Sequence, residues 1–121
     1  MAIMRFMALL IGLAVSVAAA AEESPHDFGG AIPLSPEGWF SQDDYPPQAK
    51  ANRKIGLVRF QFDINMTGRV EHCTITLSSG SPDLDQQTCR LLARRGRFKP
   101  PVNEQGEPIA TKGRSQVLWR L

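Results

Sequence analysis

The sequence predicts a small α+β domain in which a helix packs across an antiparallel sheet. Two neighbouring segments alternate apolar and polar residues around a hairpin turn, and an amphipathic helix with clear start and stop signals follows them. A third alternating segment ends the chain. The predicted order is therefore helix, strand, strand, helix, strand, and a chain of 121 residues has room for one such domain.

The first helix and the hairpin come from the first half of this pattern. Residues 46–52 are predicted to form a short helix that begins near two prolines. Residues 57–65 alternate as a half-buried strand does, and the apolar set expected to face the core is Val58, Phe60, Phe62 and Ile64. A turn in which Gly68 takes a positive φ leads into a second strand, residues 69–78. The side chains of this strand expected to face the core are Cys73, Ile75 and Leu77.

The second helix has the strongest local signals in the chain. Ser81 is placed as the N-cap, Pro82 occupies the first helical position, and Gly96 follows the last turn. Its apolar stripe, expected to meet the inner face of the sheet, consists of Leu84, Thr88, Leu91 and Leu92.

The last strand is predicted over residues 115–121, after a polar loop that contains Gly106 and Gly113. Alternation assigns three side chains to the core: Val117, Trp119 and Leu121. The side chains expected to point outward are Gln116, Leu118 and Arg120.

Residues 1–21 have the character of a secretory signal peptide. A single early charge, Arg5, precedes an apolar run that ends in three alanines, the small residues typical of a cleavage site. The alternative is an uncleaved membrane anchor, although the run is shorter than the roughly 20 residues that a spanning helix needs. Export predicts an oxidising compartment.

The two cysteines are predicted to form a disulfide bond. Cys73 lies on the inner face of the second strand and Cys89 lies beside the inner stripe of the following helix. Closing a loop of about 15 residues would stabilise the fold by roughly 3 kcal/mol. The alternative is a pair of buried free thiols.

Charge divides the exported part into two segments. Residues 22–44 contain six acidic and no basic residues among several prolines and glycines, which is the composition of a linker. Residues 45–121 contain 13 Lys and Arg against six Asp and Glu, a formal charge of +7. The acidic arm either folds back on the basic domain or is solvated.

Catalysis and metal binding have little support in the sequence. The histidines are His26, in the arm, and His72, on the outward face of a strand; with two cysteines they match no zinc-ligand spacing and no nucleophilic triad. We therefore expect no enzyme activity, no metal and no cofactor. The basic side chains Arg90, Arg94 and Arg97 favour contact with an acidic partner, and no nucleic-acid-reading motif accompanies them.

Several short motifs in a fixed order resemble one family. They are Tyr45-Pro46, Gly56 before a Val-x-Phe-x-Phe-x-Ile strand, Gly68-Arg69-Val70, Ser78-Ser79-Gly80, Leu84-Asp85 and Arg97-Phe98-Lys99-Pro100. Together they resemble the C-terminal domain of TonB, the periplasmic energy transducer of Gram-negative envelopes. The resemblance covers about residues 44–121. It implies a two-layer domain of two helices on a three-stranded antiparallel sheet, located in the periplasm.

The resemblance also implies a function and a site. Such domains capture an extended segment of an outer-membrane receptor, the TonB box, by adding it as a strand at a sheet edge. Carried over to this chain, that edge consists of Ser115, Gln116, Val117, Leu118, Trp119, Arg120 and Leu121. The arm, 23 residues long, extends at most roughly 80 Å, which argues against coupling two membranes.

Two functions therefore stay open. One is a periplasmic module that binds an outer-membrane receptor or another envelope protein. The other is a structural or self-associating domain, such as a homodimer, whose edge is closed by self-pairing or by its own arm. Membrane contact is expected only if the N-terminus is uncleaved and anchors the protein in the inner membrane.

Overall fold

The structure is a computed structural model that describes residues 24–121. Its elements in chain order are β1 (Ile32–Pro33), α1 (Pro47–Ala51), β2 (Gly56–Ile64), β3 (Val70–Leu77), α2 (Pro82–Arg95), β4 (Phe98–Lys99) and β5 (Thr111–Trp119). The main sheet is antiparallel with the order β3-β2-β5, and β1 pairs with β4 in a small second sheet. Helix α2 packs on β2 and β3, and α1 contacts α2. The predicted two-layer α+β fold is confirmed.

The core lies between α2 and the inner face of the sheet. The four alternating side chains of β2 are buried as predicted, and so is the predicted stripe of α2. Helix α2 begins after Ser81, whose hydroxyl accepts a hydrogen bond from the Leu84 amide. The predicted disulfide is present: Cys73 and Cys89 are joined, with 5.6 Å between their Cα atoms, and it ties β3 to α2.

Strand β3 departs from simple alternation because it is bulged. Phe60 pairs with Ile75 but the preceding residue, Arg59, pairs with Leu77, so one extra residue lies between the two partners on β3. Directly paired side chains share a face of a sheet. Leu77 therefore lies on the outer face with Arg59 and is 44% exposed, so its predicted core position is wrong.

Strand β5 is shifted toward the N-terminus relative to the prediction. It begins at Thr111 instead of residue 115 and ends at Trp119. Gly113, predicted as part of the loop, lies inside the strand opposite Phe62, where a Cβ atom would lie 2.8 Å from Cζ of the Phe62 ring. Leu121 follows the end of the strand and is 54% exposed, so its predicted core position is wrong as well.

The acidic arm packs on the domain over the residues that the structure describes. Ala31 and Trp39 are buried, and the Trp39 ring lies 5.3 Å from the Phe98 ring between centroids. Asp44 accepts two hydrogen bonds from the Arg95 guanidinium, at 2.7 and 2.9 Å. Of the two alternatives for the arm, folding back on the basic domain is the one observed.

The predicted signal peptide, residues 1–21, lies outside the described residues. Within residues 24–121, no helix combines the length and the apolar character that crossing a membrane requires.

Candidate protein-binding sheet edge

Strand β5 has a neighbour on one side only, so its other side, which we call the outer side, is one of the two edges of the main sheet. On the side of β2 it is paired over the full strand, from Thr111 to Trp119. At Arg114 the backbone N–H and C=O both point outward, where they exchange hydrogen bonds of 2.8 and 2.9 Å with the backbone of Asp27. Because outward and inward groups alternate along an antiparallel strand, the backbone groups of Gln116 and Leu118 also point outward.

The unoccupied part of this edge is short and well defined. Within residues 24–121, no hydrogen bond reaches the outward backbone groups of Gln116 or Leu118. Toward the N-terminus of β5, the arm occupies the edge through the backbone hydrogen bonds between Asp27 and Arg114. Toward the C-terminus, the carbonyl of Arg120 accepts a hydrogen bond of 2.9 Å from Nε2 of Gln42. We call residues 116–118 the open edge.

The opposite edge of the sheet, on β3, is poorly suited to pairing. Its register with β2 shifts twice, and at the second shift His72 has a φ of 53°. A bulge leaves a residue unpaired and bends the strand, which is a common way to protect an edge from other chains. The β5 edge is therefore the straighter of the two.

The position of β5 is fixed by a buried contact with α2. Trp119 is 4% exposed, and its indole Nε1–H donates a hydrogen bond of 2.9 Å to the hydroxyl of Thr88. That hydroxyl in turn donates to the carbonyl of Leu84, at 2.8 Å. Tyr45 meets the Trp119 ring edge-on, with 5.3 Å between centroids. Tyr45 also donates a hydrogen bond to the carbonyl of Lys54, and burial raises the pKa of its hydroxyl.

The outer face of the sheet is polar and carries a small ion cluster. Asp63 contacts Nζ of Lys112 and Nδ1 of His72, each at 2.8 Å. The hydrogen bond from Lys112, followed by that from His72, holds the pKa of the Asp63 carboxyl below its ordinary value. Lys112 and His72 are exposed, so the cluster is a solvated surface feature. Among the described residues, no group of three or more potential ligands is placed to hold a metal ion.

The basic side chains that the sequence offered as an acidic-partner contact lie on α2 and in the segment that follows it, not on β5. Arg90 and Arg94 are exposed on α2, and Arg90 donates to the side chain of Gln87 at 2.9 Å. Arg97 follows α2 and donates to the neighbouring carbonyl of Gly96 at 2.7 Å. Another arginine of α2, Arg95, binds the carboxylate of Asp44, and its hydrogen bonds hold the pKa of the Asp44 carboxyl below its ordinary value.

The fold and this edge define the class of protein: a small two-layer α+β domain with an open edge on one strand of its sheet. The family model described as Gram-negative bacterial TonB protein C-terminal matches residues 41–121, and the chain belongs to this TonB C-terminal family. TonB C-terminal domains are periplasmic in Gram-negative bacteria, and the family generally interacts with outer-membrane receptors.

A solved structure supports the same fold. The chain is similar to the TonB C-terminal domain of Pseudomonas aeruginosa, determined by solution NMR, with a TM-score of 0.59 and 23% sequence identity. The similarity covers 76% of this chain and 87% of that one. At this identity the likeness shows the fold alone. A search of curated proteins gave no match.

The structure places at the edge several residues that sequence reasoning did not connect with it. Asp27 pairs with Arg114, and Gln42 binds the carbonyl of Arg120. Of the predicted edge residues, the last two, Arg120 and Leu121, follow the end of β5. A single paired residue in an irregular arm has no periodic signature, so the sequence contained no signal for the contact of Asp27.

Proposed function

We propose that this domain binds an extended segment of an envelope protein, such as the TonB box of an outer-membrane receptor, by pairing it along the outer side of β5. The observation that carries the proposal is the open edge: the outward N–H and C=O groups of Gln116 and Leu118 have no partner among the described residues. Backbone groups of this kind bind a strand of almost any sequence, and side chains beside them select among partners.

The site supports binding rather than catalysis. The groups that it offers to a ligand are backbone N–H and C=O groups and exposed side chains such as Leu118, which is 54% exposed. Within the described residues, His26 contacts the hydroxyl of Ser115 and His72 contacts the carboxylate of Asp63, but neither histidine joins a hydroxyl to a carboxylate. We therefore propose a non-enzymatic adaptor role in the periplasm, after export through the N-terminal segment.

A proline scan of two adjacent residues tests the edge. Leu118→Pro removes an N–H that points outward, whereas Val117→Pro removes one that belongs to the ladder with β2. We expect Leu118→Pro to abolish binding of TonB-box peptides in an NMR titration while the domain stays folded. Leu118→Ala, which keeps the N–H, is the matched control and should retain most of the affinity.

The outcome separates this proposal from its rivals. Equal binding by Leu118→Pro and the wild type would exclude augmentation at β5. Changes in NMR chemical shift that are confined to Arg90, Arg94 and Arg97 would indicate that the peptide makes an acidic contact on and beside α2 instead.

The second candidate, a structural domain with no ligand, is favoured by one observation: the arm already pairs with the edge at Arg114. It predicts that no receptor peptide binds at millimolar concentration. It also predicts that the protein sediments as a monomer or a stable dimer whether or not such a peptide is present.

A further inference from the structure

The segment before Gly29 occupies the β5 edge as a strand would. Asp27 pairs antiparallel with Arg114, and its carboxylate lies 3.8 Å from Nη2 of the same arginine. On either side, the His26 ring contacts the hydroxyl of Ser115 and the hydroxyl of Thr111 donates to the Gly29 carbonyl at 2.9 Å. An incoming strand that extends beyond the open edge toward the N-terminus of β5 would need the same backbone groups.

The sequence of the arm limits how far this pairing can continue. In an antiparallel register with Asp27 opposite Arg114, the next outward-facing residue, Gln116, is opposite Pro25. Proline has no N–H to donate, so the hydrogen bond from this position to the Gln116 carbonyl cannot form and the pair can be at most half made. Within residues 24–121 the arm therefore makes one complete backbone pair with β5, at Asp27.

The contacts of the arm with the β5 edge are weaker than its contacts with the core. Ser24 to Asp27 are exposed, and solvent-exposed ion pairs contribute only about 0–1 kcal/mol. Farther along, Ala31 and Trp39 are buried and anchor the rest of the arm. Between the two parts lie Gly29 and Gly30, with φ of 58° and 92°. Two consecutive glycines allow the first part to leave the sheet while the anchor stays in place.

We infer that residues 24–28 are a displaceable internal strand that competes with the extended ligand for the β5 edge. This inference rests on the proposed function and adds regulation to the same site: a ligand that pairs with β5 as far as Arg114 must release the arm. Binding to a site that is open for only a fraction of the time is weakened by that fraction. Half-buried Phe28, 5.1 Å from Phe98 between ring centroids, also loses its packing when the arm leaves.

Two substitutions in the arm should change ligand affinity in opposite directions. Asp27→Pro removes the N–H that donates to Arg114 and should raise the affinity for a TonB-box peptide about tenfold, which corresponds to an edge open about a tenth of the time. Pro25→Val restores a donor opposite Gln116 and should lower that affinity by a similar factor. Asp27→Ala keeps the backbone pair and should lie close to the wild type.

Amide hydrogen exchange tests the arm without any ligand. In the wild type, the Arg114 amide should be protected but should exchange faster than the Val117 amide, which belongs to the ladder with β2. Asp27→Pro keeps the carbonyl that accepts from the Arg114 amide but loses the return hydrogen bond, so it should lower the protection of Arg114 and leave that of Val117 unchanged. Exchange of both amides at one rate, or an Arg114 amide as unprotected in the wild type as in the variant, would overturn the inference.

The two proposals fail in different ways. If no TonB-box peptide binds any variant, the proposed function is wrong, and exchange at Arg114 alone decides whether the arm is a releasable occupant. If peptides bind but Asp27→Pro and Pro25→Val leave the affinity unchanged, binding at the edge stands and competition by the arm is wrong. If Asp27→Pro forms dimers and binds no peptide, the arm guards against self-pairing and the inference is likewise wrong.

Discussion

The buried contact between Trp119 and Thr88 should contribute measurably to the stability of the domain, through both a hydrogen bond and packing. Trp119→Phe removes the indole N–H and part of the ring volume from a buried site. A net hydrogen bond contributes about 1 kcal/mol, and truncation of a buried ring adds a further ~1–2 kcal/mol. We expect the free energy of unfolding to fall by roughly 2–3 kcal/mol.

A substitution of the hydrogen-bond partner, Thr88, isolates the polar part of the contact. Thr88→Val keeps the shape of the side chain but leaves the buried indole N–H without an acceptor, at a cost of about 1–3 kcal/mol. Once the indole is gone, the same change should cost much less. The double variant should therefore be about 1 kcal/mol more stable than the sum of the single effects predicts, a coupling typical of residues in contact.

Urea unfolding followed by far-UV circular dichroism measures all three variants. Fluorescence is less suitable, because the chain has two tryptophans and one of them is removed. Trp39→Phe is the matched control: Trp39 is also buried but packs on Phe98, so it should show no coupling to Thr88. Additivity of Trp119→Phe and Thr88→Val within about 0.5 kcal/mol would refute the reasoning.

Three further predictions concern the rest of the fold. Replacing both Cys73 and Cys89 by Ala should lower the free energy of unfolding by about 3 kcal/mol in calorimetry, and an oxidised wild type already as unstable as this variant would contradict it. Acidification should destabilise the domain as the pH falls through the lowered pKa of Asp44, because the unfolded chain then binds more protons; Asp44→Asn should flatten this acid limb of a melting-temperature profile. Gly113→Ala should cost about 1–3 kcal/mol in urea unfolding through contact with Phe62, whereas Gly38→Ala, which meets nothing within 4 Å, should be neutral.

The elements that the sequence predicted well are those with local signals. Helix α2 begins after Ser81 and ends at Arg95, where the cap and the following glycine indicate. The disulfide followed from two local face assignments, both of which the bulges of β3 left intact. Cys73 and Ile75 pack against the core, while Leu77, beyond the extra residue, does not.

The elements that the sequence missed depend on distant partners. Glycine is a typical loop residue, but Gly113 lies inside β5, opposite Phe62 on the neighbouring strand. The Phe62 ring leaves no room for a Cβ atom at this position. The arm has the composition of a linker, yet Trp39 finds Phe98 and Asp44 finds Arg95, both more than 50 positions away along the chain. Neither contact leaves a periodic trace, so pattern reasoning could only keep both alternatives for the arm open.

The candidate edge combines a feature that local sequence signals predict with a feature that depends on a distant partner. Alternation along the last strand separated Gln116 and Leu118 from the core side, and this part of the prediction needed no distant partner. The features that made the arm resemble a linker are the ones that limit its grip: Pro25 withholds a donor from Gln116, and Gly29 begins the joint to the buried anchor. A segment richer in hydrogen-bond donors and side-chain volume would close the edge permanently. The composition of the arm is therefore consistent with a strand that leaves, and an incoming segment without a proline opposite Gln116 can form one backbone hydrogen bond there that the arm cannot.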